Sequence, residues 1–100
     1  MFSGGEYEEV ARWVRNFVAS HAKRENLRVE PEVDTEGPRE GQSYGVRLRL
    51  GTALSPALEL TFADVAENRG SLAWCAELAG RVRALARELP GAGSTPLRTA

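Results

Sequence analysis

The sequence predicts an α+β domain, a two-layer α/β sandwich with the element order α-β-β-β-α. Two segments repeat apolar residues every three or four positions, as one face of a helix does, and three segments between them alternate apolar and polar residues, as strands do. A sheet with one apolar face needs a cover, and two helices with one apolar stripe each supply it. We therefore expect a three-stranded antiparallel meander with both helices on one face.

The first helix is predicted from about Gly5 to Arg24. Acidic residues lie in its first turns, and Lys23 and Arg24 lie in its last turn, so both placements suit the helix dipole. Its apolar stripe is formed by Val10, Trp13, Val14, Phe17, Val18 and His21.

The three predicted strands follow this helix. Residues Leu27–Asp34 alternate with the period of a half-buried strand, and Pro31 marks this strand as an edge because proline cannot donate to a sheet ladder. The second strand is predicted over Tyr44–Leu50 and the third over Ala57–Phe62.

The segments between these elements read as irregular connections. Glycine and proline among charged residues predict a loop over Thr35–Ser43, and two breakers predict a turn over Gly51–Pro56. Residues Ala63–Gly70 are expected to connect the third strand to the second helix.

The second helix is predicted to begin at Ser71, a residue type favoured at the N-cap, and to stop at Pro90 and Gly91. Residues 91–100 are small, polar or helix-breaking, so we expect a flexible tail after a single domain of residues 1–90. The apolar stripe of this helix is formed by Leu72, Cys75, Leu78, Ala79, Val82, Leu85, Ala86 and Leu89.

Length and charge limit the classes of function. The chain has 100 residues, a size that suits one domain, and its formal net charge of -1 builds no long-range field that would attract nucleic acid or an anionic membrane. No signal peptide is visible, and no stretch approaches the about 18 apolar residues of a membrane helix. With one cysteine, Cys75, no intramolecular disulfide forms, so we expect a cytoplasmic protein. Basic residues that are nearly all arginine suggest a bacterium with G+C-rich codons.

No residue pattern predicts catalysis, a cofactor or a metal site. The only histidine, His21, lies on the helix stripe, where a pH switch is possible but a bonded residue at the core margin is the simpler interpretation. Cys75 lies on the core stripe and has no base beside it. Glu30 and Glu32 share a strand face, but an acid–base pair needs a cleft, which an uncovered sheet face does not offer.

The uncovered face of the sheet is expected to be polar. Its candidate surface residues are Arg28, Arg47, Arg49 and Glu59. Pairing of opposite charges across neighbouring strands explains this pattern without a function. The arginines of this face, or those of the second helix (Arg81, Arg83 and Arg87), are the candidates for contact with nucleic acid in the alternative function.

That alternative follows from a resemblance in topology. The order of helix, three-stranded meander and helix resembles that of the double-stranded RNA-binding domain, which implies contact with RNA through the first helix, a loop between strands and a lysine-rich start of the second helix. Here the second helix opens with Ser71-Leu-Ala-Trp-Cys75 and contains no lysine.

The preferred function is a small protein-interaction or adaptor module without catalytic activity, acting as a homodimer; a ligand-binding or enzymatic domain is a third hypothesis. Unlike the first strand, the third has no proline or lysine to guard its edge, so two copies are expected to join into a six-stranded sheet. Packing of helix faces through Trp74, Leu78 and Leu85 is the rival geometry. The candidate interface residues are Leu54, Leu58, Leu60 and Trp74.

Overall fold

The computed structural model describes residues 6–89 and confirms the predicted α+β sandwich. The helices cover one face of an antiparallel sheet, as the apolar stripes require. In chain order the elements are α1 (Tyr7–Glu25), β1 (Glu30–Asp34), a 3-10 helix (Gly37–Arg39), β2 (Ser43–Leu50), β3 (Ala53–Leu54), β4 (Leu58–Thr61), α2 (Phe62–Asn68) and α3 (Leu72–Glu88). Residues 91–100, where a flexible tail is predicted, lie outside the described residues.

The two long helices run in the same direction along the sheet. At their starts Glu9 of α1 pairs with Arg69, just before α3, at 3.3 Å, and at their ends Glu25 of α1 pairs with Arg83 and Arg87 of α3 at 2.8 and 3.0 Å. Ser71 caps α3 as predicted, since its hydroxyl oxygen accepts a hydrogen bond from the backbone N–H of Trp74 at 3.3 Å.

Strand β2 is the centre of the sheet. On one side it pairs antiparallel with β1, so that Val33 lies opposite Val46. On its other side lie β3 and β4, end to end along the same edge. The sheet is therefore three strands wide, as the predicted meander requires, but its third strand is divided into two.

A β-bulge divides this third strand. Leu54 lies opposite Arg49, whereas Leu58 lies opposite Val46, so four steps along the third strand match three steps along β2. The extra residue reverses the alternation of side chains between the two parts. Leu58 therefore shares the helix-covered face, here called the core face, while Leu54 shares the opposite polar face with Arg49.

The structure corrects three details of the predicted elements. Strand β1 begins at Glu30 rather than Leu27, and β3 lies within the segment predicted as a turn, because Gly51 with φ +63° and Thr52 form a two-residue hairpin loop. Phe62 does not end the third strand but begins α2, since the Thr61 side chain caps the N–H of Asp64 at 3.1 Å, and this helix occupies most of the segment predicted as a connector.

Tyr44 connects the sheet to the start of α1. Its ring is fully buried and stacks on Tyr7 with ring centroids 4.7 Å apart, and its hydroxyl donates to the Tyr7 carbonyl at 2.7 Å. Burial raises the pKa of Tyr44 far above its ordinary value, so the phenol stays protonated. The buried apolar residues are Val10, Val14, Val18, Ala22, Val29, Tyr44, Val46, Leu48, Leu60, Val65, Leu78, Val82, Ala86 and Leu89.

Within residues 6–89 the helices are too short or too polar to form a membrane span.

Candidate functional site

Among the strands of residues 6–89, only β2 pairs with β4, so the backbone groups on the outer edge of β4 have no strand partner within this part of the chain. The N–H of Phe62 donates to the Gln42 carbonyl at 2.8 Å. This bond shows which residues of β4 point their backbone groups towards β2. Because backbone groups alternate in direction along a strand, the N–H and C=O of Leu58 and Leu60 point to β2 and those of Glu59 point away from it. Glu59 and Thr61 are both exposed in this strand.

An apolar groove lies between this edge and α3. Leu58 and Leu85, both half-buried, form its floor, and Arg81 and Glu88 of α3 stand along it. It continues past Pro56 towards the end of α3. The residues of this β4–α3 groove are Leu54, Ser55, Pro56, Ala57, Leu58, Arg81, Ala84, Leu85, Glu88 and Leu89.

The four predicted interface residues do not form one surface. Leu58 lies in the β4–α3 groove, and Leu54, which is 51% exposed, lies at its end. Leu60 is only 5% exposed and belongs to the core, so its side chain is not available to a partner in this fold. Trp74 lies elsewhere, in the first turn of α3 and beside Trp13 of α1.

Trp74 belongs to a half-buried aromatic cluster on the helix layer. Its ring lies 6.4 Å from that of Trp13, which stacks on Phe17 at 5.0 Å. Phe17 in turn contacts His21, with ring centroids 4.5 Å apart. Burial lowers the pKa of His21, and Arg24 and Arg83 lower it further, so this histidine favours its neutral form. Leu78, named with Trp74 in the rival helix-face geometry, is 2% exposed and faces the core.

Two of the four predicted polar surface residues are engaged in ion pairs. Arg49 pairs with Glu32, and Glu59 pairs with Arg39. Arg28 lies before β1 and is exposed, and Arg47 has no ion-pair partner within the described residues. Acidic side chains therefore lie among the arginines along this face.

Sequence reasoning missed Arg39, which organises the polar face. Asp34, Gly45 and Glu59 lie side by side across the three strands. The Arg39 guanidinium lies over Gly45, since a Cβ there would come within 2.6 Å of its Cζ. It donates to Asp34 Oδ2 at 2.8 Å and makes two hydrogen bonds to Glu59. A glycine between two acidic strand positions was the available signal, but the sequence does not say which arginine reaches it.

The described side chains form no group of three or more histidine, cysteine, aspartate or glutamate residues that could hold a metal ion. Cys75 is half-buried, and its thiol lies 3.4 Å from the Arg69 carbonyl. The Ser71 hydroxyl acts as the cap of α3.

No protein-family model, curated protein or solved structure matches this chain.

Proposed function

We propose that this domain is a small protein-interaction module that works as a homodimer, and that β4 is the strand through which it associates. The supporting observation is that no strand of residues 6–89 pairs with the outer edge of β4, which lies beside the apolar β4–α3 groove. Backbone groups on such an edge give affinity to an added strand, and an adjoining apolar groove accepts its side chains.

The two edges of the sheet differ in protection. On β1, Pro31 has no N–H to donate, and Lys23 donates to the Val29 carbonyl at 2.9 Å just before the strand. On β4, the sequence offers neither proline nor lysine, and the one guarding charge, Glu59, is neutralised by Arg39. Strand addition therefore favours β4.

The test is the mass of the protein in solution, measured by sedimentation or light scattering over a range of concentrations. We expect the wild-type chain to be a dimer and the Ala84→Lys variant to be a monomer, because Ala84 lies in the groove and a lysine there would face its own copy across a two-fold axis. The matched control is Ala76→Lys, an exposed position on the same helix outside the groove, which should remain dimeric.

Hydrogen exchange gives an independent measurement of the same contact. The amide of Glu59 points away from β2, so it should exchange slowly only when a second strand covers it, and its protection should rise with protein concentration. A wild-type chain that stays monomeric up to its solubility limit contradicts the proposal. So does a dimer in which Ala84→Lys has no effect.

A further inference from the structure

We infer that the β4–α3 groove binds a second copy of this chain about a two-fold axis beside Leu58, with Arg81 of each copy paired to Glu88 of the other. The inference rests on the proposed function and specifies its register and contacts. The observation that supports it is the position of two charged residues of α3, Arg81 and Glu88, on either side of Leu58.

Arg81 and Glu88 flank the middle of the groove. Leu58 lies beside the segment of α3 that runs from Arg81 through Ala84 and Leu85 to Glu88, and Pro56 lies nearer the Glu88 end. The two charged residues are seven positions apart, about 10 Å along the helix axis. Among the described residues neither one has an ion-pair partner, although both are exposed on the same side of α3.

A two-fold axis beside Leu58 reverses the order of these charges in the second copy. The two α3 helices then run antiparallel across the seam, so that each Arg81 faces the Glu88 of the other chain, twice by symmetry. Near the axis stand Ala84, whose small side chain allows the helices to approach, and Leu85, which adds apolar contact. The groove is therefore complementary in charge to itself.

The backbone of β4 fits the same register. With the axis at Leu58, Ala57 of one copy lies opposite Glu59 of the other, and a hydrogen-bonded pair of this kind exchanges both of its N–H···O=C bonds. Leu58 then lies directly opposite its own copy at the closer, non-hydrogen-bonded spacing, which covers its half-exposed side chain. Moving the axis one residue towards Glu59 would place two Glu59 carboxylates opposite each other, which is unfavourable.

The test is charge reversal, read as the dimer dissociation constant. Arg81→Glu and Glu88→Arg should each weaken the dimer roughly tenfold, because each creates two repulsive contacts at exposed positions. The double variant, Arg81→Glu with Glu88→Arg, should recover the wild-type constant to within about threefold, since it restores both pairs with exchanged signs. Arg12→Glu, an exposed reversal on α1 outside the groove, matches the change in net charge of Arg81→Glu and should leave the constant unchanged.

The outcomes separate the inference from the proposal on which it rests. A wild-type monomer overturns both. A dimer that Ala84→Lys disrupts but the single charge reversals do not affect overturns only the inferred register. A double variant that remains as weak as the single variants also overturns it, because reciprocal pairing requires restoration.

Discussion

At the scale of single residues, Gly45 shows how a polar sheet face is held together without a binding partner. The absence of a side chain on this residue makes room for the Arg39 guanidinium, which then reaches Asp34 on one side and Glu59 on the other. Two strands and the 3-10 helix are joined through one cation. The hydrogen bonds from Arg39 lower the pKa of Glu59 below its ordinary value, which favours the charged carboxylate.

The effect of replacing Gly45 on the free energy of unfolding should therefore change sign when Arg39 is removed. In the wild type, Gly45→Ala should lower the free energy of unfolding by about 1 kcal/mol, because the Cβ displaces the Arg39 guanidinium from both carboxylates. In an Arg39→Ala background the same substitution should raise stability by about 0.5 kcal/mol, because alanine suits a strand interior better than glycine. Denaturant unfolding of the four proteins measures this cycle; equal effects in both backgrounds would show that Arg39 does not occupy the space above Gly45.

At the scale of elements, the bulge between β3 and β4 decides which side chains face the core. A serine oxygen takes part in the ladder there. The N–H of Leu48 donates to Ser55 Oγ at 2.9 Å, while the N–H of Ser55 donates to the Leu48 carbonyl at 2.9 Å. The hydroxyl of Ser55, which is 5% exposed, donates onward to the Pro56 carbonyl at 3.0 Å. The irregular segment thus keeps its buried polar groups bonded.

Removing the Ser55 hydroxyl should leave the buried N–H of Leu48 without an acceptor. We expect Ser55→Ala to lower the free energy of unfolding by about 1–3 kcal/mol and to speed exchange of the Leu48 amide. Ser43→Ala is the matched control in the same sheet, because the Ser43 side chain makes no hydrogen bond within the described residues. If both variants were equally stable and the Leu48 amide stayed protected, the Ser55 hydroxyl would have no such part in the bulge.

Periodicity predicted the regular elements but not this irregular one. The stripes of α1 and α3 and the alternation of β2 depend on residues near in sequence, so they could be located directly. Leu72, which belongs to the predicted stripe of α3, is nevertheless 88% exposed. Leu54, Leu58 and Leu60 have even spacing, which predicts one shared face, and the extra residue at the bulge breaks that relation. Phe62 likewise continues the alternation, although the Thr61 cap already begins α2. Gly51-Thr52 between two apolar segments was the missed hairpin signal.

At the scale of the whole molecule, ion pairs join parts of the fold that are far apart in sequence. Glu25, at the end of α1, accepts hydrogen bonds from Arg83 at 2.8 Å and Arg87 at 3.0 Å, at the end of α3. Glu9 and Arg69 join the opposite ends of the same two helices at 3.3 Å. These contacts fix the parallel arrangement of the helices, on which the position of α3 beside β4, and therefore the shape of the groove, depends.

The contact at Glu25 predicts how stability varies with pH. The hydrogen bond from Arg83, with the charge and hydrogen bond of Arg87, lowers the pKa of Glu25 in the folded state below its ordinary value. A lowered folded-state pKa contributes stability above the ordinary carboxyl pKa, and this contribution is lost as the pH falls through the folded-state value. Glu25→Gln should therefore be less stable than the wild type at neutral pH, and the two unfolding free energies should converge as the pH falls below about 4.

Glu77→Gln provides the matched control for this pH series, because Glu77 is exposed on α3 and has no ion-pair partner within residues 6–89. Its stability should follow the wild-type pH dependence with a constant offset. Unfolding free energies measured from pH 7 downwards, at one protein concentration so that association does not differ between samples, compare the three proteins. A constant offset for Glu25→Gln as well would mean that Arg83 and Arg87 do not stabilise the Glu25 carboxylate.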